Sequence, residues 1–251
     1  MEIEKWKDNT KRLTLGIGFA VPLMLMYNVL IFMPEGGWRH GAEAKSGDML
    51  LTVGFIALVL SLSYICVVNY TRGLSRFAAN FEEGGKRSLW MIRWGFILTA
   101  AGIALQLFVF RFFNMRVAGF GQLILGNIVL IAAAALGIVG FASLATIKGL
   151  ADEGRKGAIN MTWTTLVLLT GACLESYVIQ RHNVPLAWFW KALALAANIV
   201  GAFAFFLQWK HILAAPSEAQ QATGAKAPVA TAGEQRTNDD THTMETGSTQ
   251  P

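Results

Sequence analysis

Six long apolar stretches separated by short polar breaks organise this chain. They run Leu13–Met33, Met49–Thr71, Leu89–Phe110, Phe120–Ile147, Ile159–Ile179 and Pro185–Trp209. A hydrocarbon core of about 30 Å takes ~20 helical residues to cross, and each stretch has that length. Inside lipid the backbone must satisfy its own hydrogen bonds, so stretches of this kind form helices. The pattern therefore predicts an all-α, polytopic membrane bundle of six transmembrane helices. The first stretch follows a charged leader and runs into Pro34, Glu35, Gly36 and Gly37 without a small-residue cleavage site, so it reads as a retained signal anchor.

Three parts follow: an N-terminal segment at 1–12, a transmembrane domain at 13–213 and a tail at 214–251. The tail is Ala, Gly, Ser, Thr, Pro, Gln and charged residues, with almost nothing to bury, and is expected to be disordered. Composition changes little in this picture: 54% hydrophobic and only 15% charged residues fit a chain that sits mostly in lipid. The net charge of +5 would point to nucleic acid in a soluble protein, but here its distribution matters more. Lys5, Lys7, Lys11, Arg12, Arg72, Arg76, Lys86, Arg87, Lys148, Arg155, Lys156 and Lys210 fall on one side, against Arg39, Lys45, Arg111, Arg116 and Arg181 on the other. The positive-inside rule then places both termini in the cytoplasm, in a plasma or bacterial inner membrane, with the bilayer rather than nucleic acid as the partner.

Shifted by 69 residues without gaps, spans three and four lie over spans five and six. Gly85 meets Gly154, Trp94 meets Trp163, Gly102 meets Gly171, Asn114 meets Asn183 and Phe120 meets Phe189. There are 10 identities over the 53 positions from Glu83 to Ala135, of which biased composition and a chosen offset supply about half. The pattern is that of a parallel tandem repeat of helical hairpins, into which the first hairpin fits only loosely.

The repeat draws attention to one polar level. Gln106 and Gln122 flank the turn at Asn114 by eight residues each, and at the same positions around Asn183 stand Glu175 and Lys191. A polar pair is thus placed twice at one depth, once neutral and once as opposite charges. A charge within a span costs ~2.5–3.5 kcal/mol near mid-helix, so such residues are candidates for a functional site. Two expectations follow for Gln106, Gln122, Glu175 and Lys191: a proton or ion relay, or a bonded pair that fixes helix register with Lys191 snorkelling outward.

Other candidates carry less chemistry. Cys66 and Cys173 fall at different depths and have no metal-ligand neighbours, so they read as packing residues. His40 and His182 fall in outer loops and His211 beyond span six, which disfavours a bis-histidine haem. No cofactor or metal is expected. Arg93, between Trp90 and Trp94, reads as an interfacial anchor. Pro22 is expected to bend span one. Span four is rich in small residues, Ala132 to Ala135, Gly137, Gly140, Ala142 and Ser143, and suits a helix central in the bundle or in contact with a membrane-protein partner or a second copy.

No catalytic, cofactor or transport motif stands in the chain. The leading expectation is a non-enzymatic membrane subunit or scaffold of a larger complex. The alternative is a small solute or ion transporter, proton-coupled through Glu175 and Lys191. A third reading, an intramembrane enzyme on a lipid or quinone, lacks the paired Asp, Ser–His or clustered His that hydrolysis or metal chemistry needs.

Overall fold

The apolar stretches are helical, and the helices outrun them. The computed structural model describes residues 3–32, 46–107, 116–180 and 185–215, and among these there are six helices and no strand. They are α1 (Ile3–Phe32), α2 (Ser46–Ala78), α3 (Glu83–Leu107), α4 (Arg116–Ala145), α5 (Asp152–Gln180) and α6 (Ala187–Ile212). Five of them, α2 to α6, carry described stretches long and apolar enough to cross a membrane. Helix α1 contains Pro22 and carries its apolar run towards Phe32, past the last described side chain at Met26.

Helix ends follow local chemistry. Helix α3 begins at Glu83, whose carboxylate lies 2.8 Å from the Lys86 ammonium one turn on. Helix α5 opens on Asp152 and Glu153, and α6 closes on Lys210 and His211, charges that complement the helix dipole at each end. The starts of α3 and α5 are made alike. The Lys86 amide donates to Glu82 at 3.0 Å, and the Arg155 amide, 69 residues on, donates to Ala151 at 2.9 Å.

Each helix packs against its neighbours in sequence, and α6 returns to α1, so the six form a closed ring. The broadest interfaces are within the pairs α3/α4, α5/α6 and α1/α2; those joining α2 to α3 and α6 to α1 are the narrowest. The pairs approach closely because small residues face the partner backbone. In the first pair a Cβ on Gly16 would lie 2.5 Å from the Tyr70 nitrogen, and one on Gly73 2.5 Å from the Leu13 backbone. The second pair uses the same crossed device: Gly95 against the Ala133 carbonyl (2.9 Å) and Gly137, and Gly140 against Ile92 (2.7 Å). In the third pair Gly157 meets the Gln208 carbonyl at 2.9 Å, and Gly171 abuts Asn198.

The described core lies towards the end of the ring where the charged flanks are basic. Trp6, Leu13, Tyr70, Phe77, Leu89, Leu144, Met161, Trp209 and Ile212 are all buried there. Outward faces are apolar as well: Tyr64, Leu60, Ile128, Trp163 and Val200 are exposed. A water-soluble monomer rarely shows such continuous apolar surface, whereas lipid is its natural solvent. The small residues of α4 divide between the two environments. Gly140 is buried facing α3, Gly137 is buried with its backbone against Gly95 and its open side towards Thr165 of α5, and Ala132, Ala135 and Ala142 are exposed.

Candidate functional site

The hairpin registers locate the polar level. Along α3 and α4, Ile92 faces Gly140, Gly95 faces Ala133 and Gly137, and Gly102 faces Gly126 and Leu130. One further turn in the same register brings Gln106 level with residues 122–126. Along α5 and α6, Gly157 faces Gln208 and Ile212, and Gly171 faces Ala197 and Asn198. Continued by one turn from Gly171, that register brings Glu175 level with residues 193–194, within one turn of Lys191. The four residues all stand on helices, but the side chains of Gln106, Gln122 and Glu175 lie outside the described residues. The Lys191 side chain is exposed.

Below that level, towards the basic end, the interior is apolar. Tyr70 stacks on Phe96 with ring centroids 3.9 Å apart, and Trp209 meets Tyr70 and Phe141 edge-on at 5.7 and 5.6 Å. Trp6, Phe77 and Phe81 form a triangle of edge contacts at 5.1–5.8 Å. The buried serine and threonine hydroxyls are spent locally. Thr10 donates to the Lys7 carbonyl, Thr71 to Val67, Ser88 to Gly84 and Thr164 to Asn160, each on its own helix. Asn198, the other buried polar residue among those described, is likewise partnered.

Two cross-helix bonds at the basic end were hidden in the linear sequence. The Trp6 indole N–H donates to the Leu213 carbonyl at 3.0 Å, tying the start of the chain to the end of α6. Trp6 belongs to the charged segment that precedes the first apolar stretch. In fact Trp6, Thr10, Leu13, Ile17 and Ala20 recur at helical spacing and are all buried. The second bond runs from Arg93 Nη1 to Ser75 Oγ at 2.9 Å, across the seam between α2 and α3. Outside the spans, the Lys11 ammonium 2.6 Å from Asp8 holds that carboxyl below its usual range, and the pair is fully solvated.

The cysteines are free. Cys66 is buried with its thiol 3.4 Å from the Gly16 carbonyl, and Cys173 is exposed. Among the described residues no group of three His, Cys, Asp or Glu is gathered to hold a metal. His40 and His182 lie outside the described residues, and His211 Nδ1 stands 4.0 Å from Glu153. Apart from Ala214 and Ala215 the tail also lies outside them. Comparison with known protein families, curated proteins and solved structures finds no match, so the reading of function rests on the geometry of the chain itself.

Proposed function

We propose that this protein is a six-span membrane subunit or scaffold, with no catalytic role of its own and both termini in the cytoplasm of a plasma or bacterial inner membrane. The carrying observation is the apolar filling of the ring at its basic end. A path for a hydrophilic solute would need polar groups through the full thickness. Here the corresponding space holds Tyr70, Phe96, Phe141, Phe205 and Trp209, and the buried serine and threonine hydroxyls are each bonded to their own helix.

The six spans are read as three hairpins of one repeating kind. Gly16 against Tyr70 and Gly73 against Leu13 in the first pair correspond to Gly95 against Gly137 and Gly140 against Ile92 in the second. Buried positions on α3 (Gly85, Leu89, Ile92, Gly95 and Gly102) are matched 69 residues later by Gly154, Ala158, Met161, Thr164 and Gly171, all buried. Three stacked hairpins leave broad apolar outer faces, among them the Ala132, Ala135 and Ala142 side of α4, on which a membrane-protein partner or a second copy would seat.

The test is native mass spectrometry of the full chain, extracted from its own host with its lipids. Stoichiometric partner subunits support the proposal, and a lone monomer refutes it. Orientation is tested by single cysteines at Lys148 and Leu186 in a background lacking Cys66 and Cys173. The first should react only from the cytoplasmic side and the second only from outside.

One observation favours a second reading. Extended by one turn, the hairpin registers run Gln106 to the level of residues 122–126 and Glu175 to within one turn of Lys191, near the outer ends of the spans, which supports a shared polar level. That is the arrangement of a proton- or ion-coupled transporter whose coupling pair is Glu175 and Lys191. Glu175→Gln that folds normally yet abolishes proton-dependent flux in liposomes establishes it. Loss of folding with intact behaviour of the double neutral variant assigns the pair a structural role.

A further inference from the structure

We propose that the mouth of the seam between α2 and α3, at the basic end, binds the phosphate headgroup of an anionic phospholipid. Four residues make the case: Arg72, Ser75 and Arg76 on α2, and Arg93 on α3. A spacing of three and four residues sets Arg72, Ser75 and Arg76 on one side of α2. Arg93 reaches that side, because its Nη1 donates to Ser75 Oγ at 2.9 Å. Ser75 is in turn held by its bond to the Thr71 carbonyl at 3.1 Å, which fixes the guanidinium across the seam.

The charges there are uncompensated within the protein. None of the three arginines forms an ion pair among the described residues. Guanidinium groups present paired N–H donors that match phosphate oxygens, so an anionic headgroup is the complementary ligand. Depth agrees with a lipid rather than a solute. Arg93 stands between Trp90 and Trp94, exposed by 57% and 42%, and outward-facing tryptophans mark the headgroup level.

The other seams are built differently. The equally narrow α6–α1 seam is closed at its mouth by the Trp6–Leu213 bond. At the position 69 residues after Arg93 stands Thr162, whose hydroxyl is spent on the Ile159 carbonyl at 2.6 Å. A general topogenic anchor would recur from hairpin to hairpin; this arginine does not.

The inference requires that these helices lie in a bilayer, and it holds for a scaffold or a transporter alike. The test is native mass spectrometry of the full chain released from bilayers of phosphatidylcholine and phosphatidylglycerol in equal parts. The expected result is selective retention of phosphatidylglycerol. A cation near the headgroups contributes about a five-fold change in affinity, so Arg72→Gln with Arg93→Gln should lower retention by about twenty-five-fold. Lys148→Gln, an exposed cation of another hairpin, should leave it unchanged.

If Arg93→Gln fails to fold, Arg72→Gln with Arg76→Gln replaces it, since both side chains are exposed and unbonded. Equal retention of the neutral lipid overturns the proposal, as does an equal loss with Lys148→Gln. Release of the lipid by millimolar inorganic phosphate would identify a free-anion site and overturn it too.

Discussion

Replacing Trp6 tests whether the basic end of the ring is a packed core or a loose fringe. The indole is 2% exposed, touches Phe77 and Phe81 edge-on at 5.2 and 5.8 Å, and donates to the Leu213 carbonyl. It lies seven residues before the first apolar stretch, about 10 Å by helix rise, and so outside the hydrocarbon. Its burial is therefore driven by water, and large-to-small costs from aqueous cores apply. Trp6→Ala removes the whole ring system, for about 3–5 kcal/mol, together with a hydrogen bond worth about 1 kcal/mol. Trp6→Phe keeps most of the apolar ring and loses the bond, for about 1–2 kcal/mol. Equilibrium unfolding in mixed micelles containing dodecyl sulfate, followed by far-ultraviolet circular dichroism, measures both. The alanine variant should unfold with at least about 2 kcal/mol less stability than the phenylalanine variant. Equal costs for the two would refute the reasoning, because the ring would then contribute nothing beyond its N–H.

Three further outcomes follow from the packing. Gly16→Ala forces a methyl to within 2.5 Å of the Tyr70 backbone and should cost about 1–3 kcal/mol in the same assay. Gly18→Ala meets nothing within 4 Å and should be neutral or slightly stabilising. Truncation after Ala215 keeps the Leu213 carbonyl that Trp6 uses, so the melting temperature should match that of the full chain, whereas truncation after Ile212 should lower it. Cys66 should react with a membrane-permeant maleimide only on unfolding, because its thiol is buried against Gly16, while Cys173 reacts in the folded protein.

Hydropathy and length determined by themselves that this chain is a set of long apolar helices, five of them with described stretches long and apolar enough to cross a membrane, since the need to bond every backbone group in lipid leaves few alternatives. Helix rise is constant, so counting outward from Asn114 and Asn183 gives an expected depth for Gln106, Gln122, Glu175 and Lys191, three of whose side chains lie outside the described residues. Lateral choices were not legible. In an almost uniformly apolar helix, faces turned to lipid and faces turned to protein carry the same residue types, so Trp163 outside and Met161 inside, two residues apart, look equivalent in the sequence. Tertiary structure decided that Gly137 and Gly140 serve the hairpin while Ala132 and Ala135 face outward. It also decided that the charged leader is the first part of α1, with one face, Trp6 and Thr10, buried. The helical spacing from Trp6 to Ala20 was there to see, but only the return of α6 to α1 supplies the Leu213 carbonyl that holds it. The seam joining Ser75 to Arg93 has the same origin: the sequence gives each residue its depth, and closing the ring brings them within 2.9 Å.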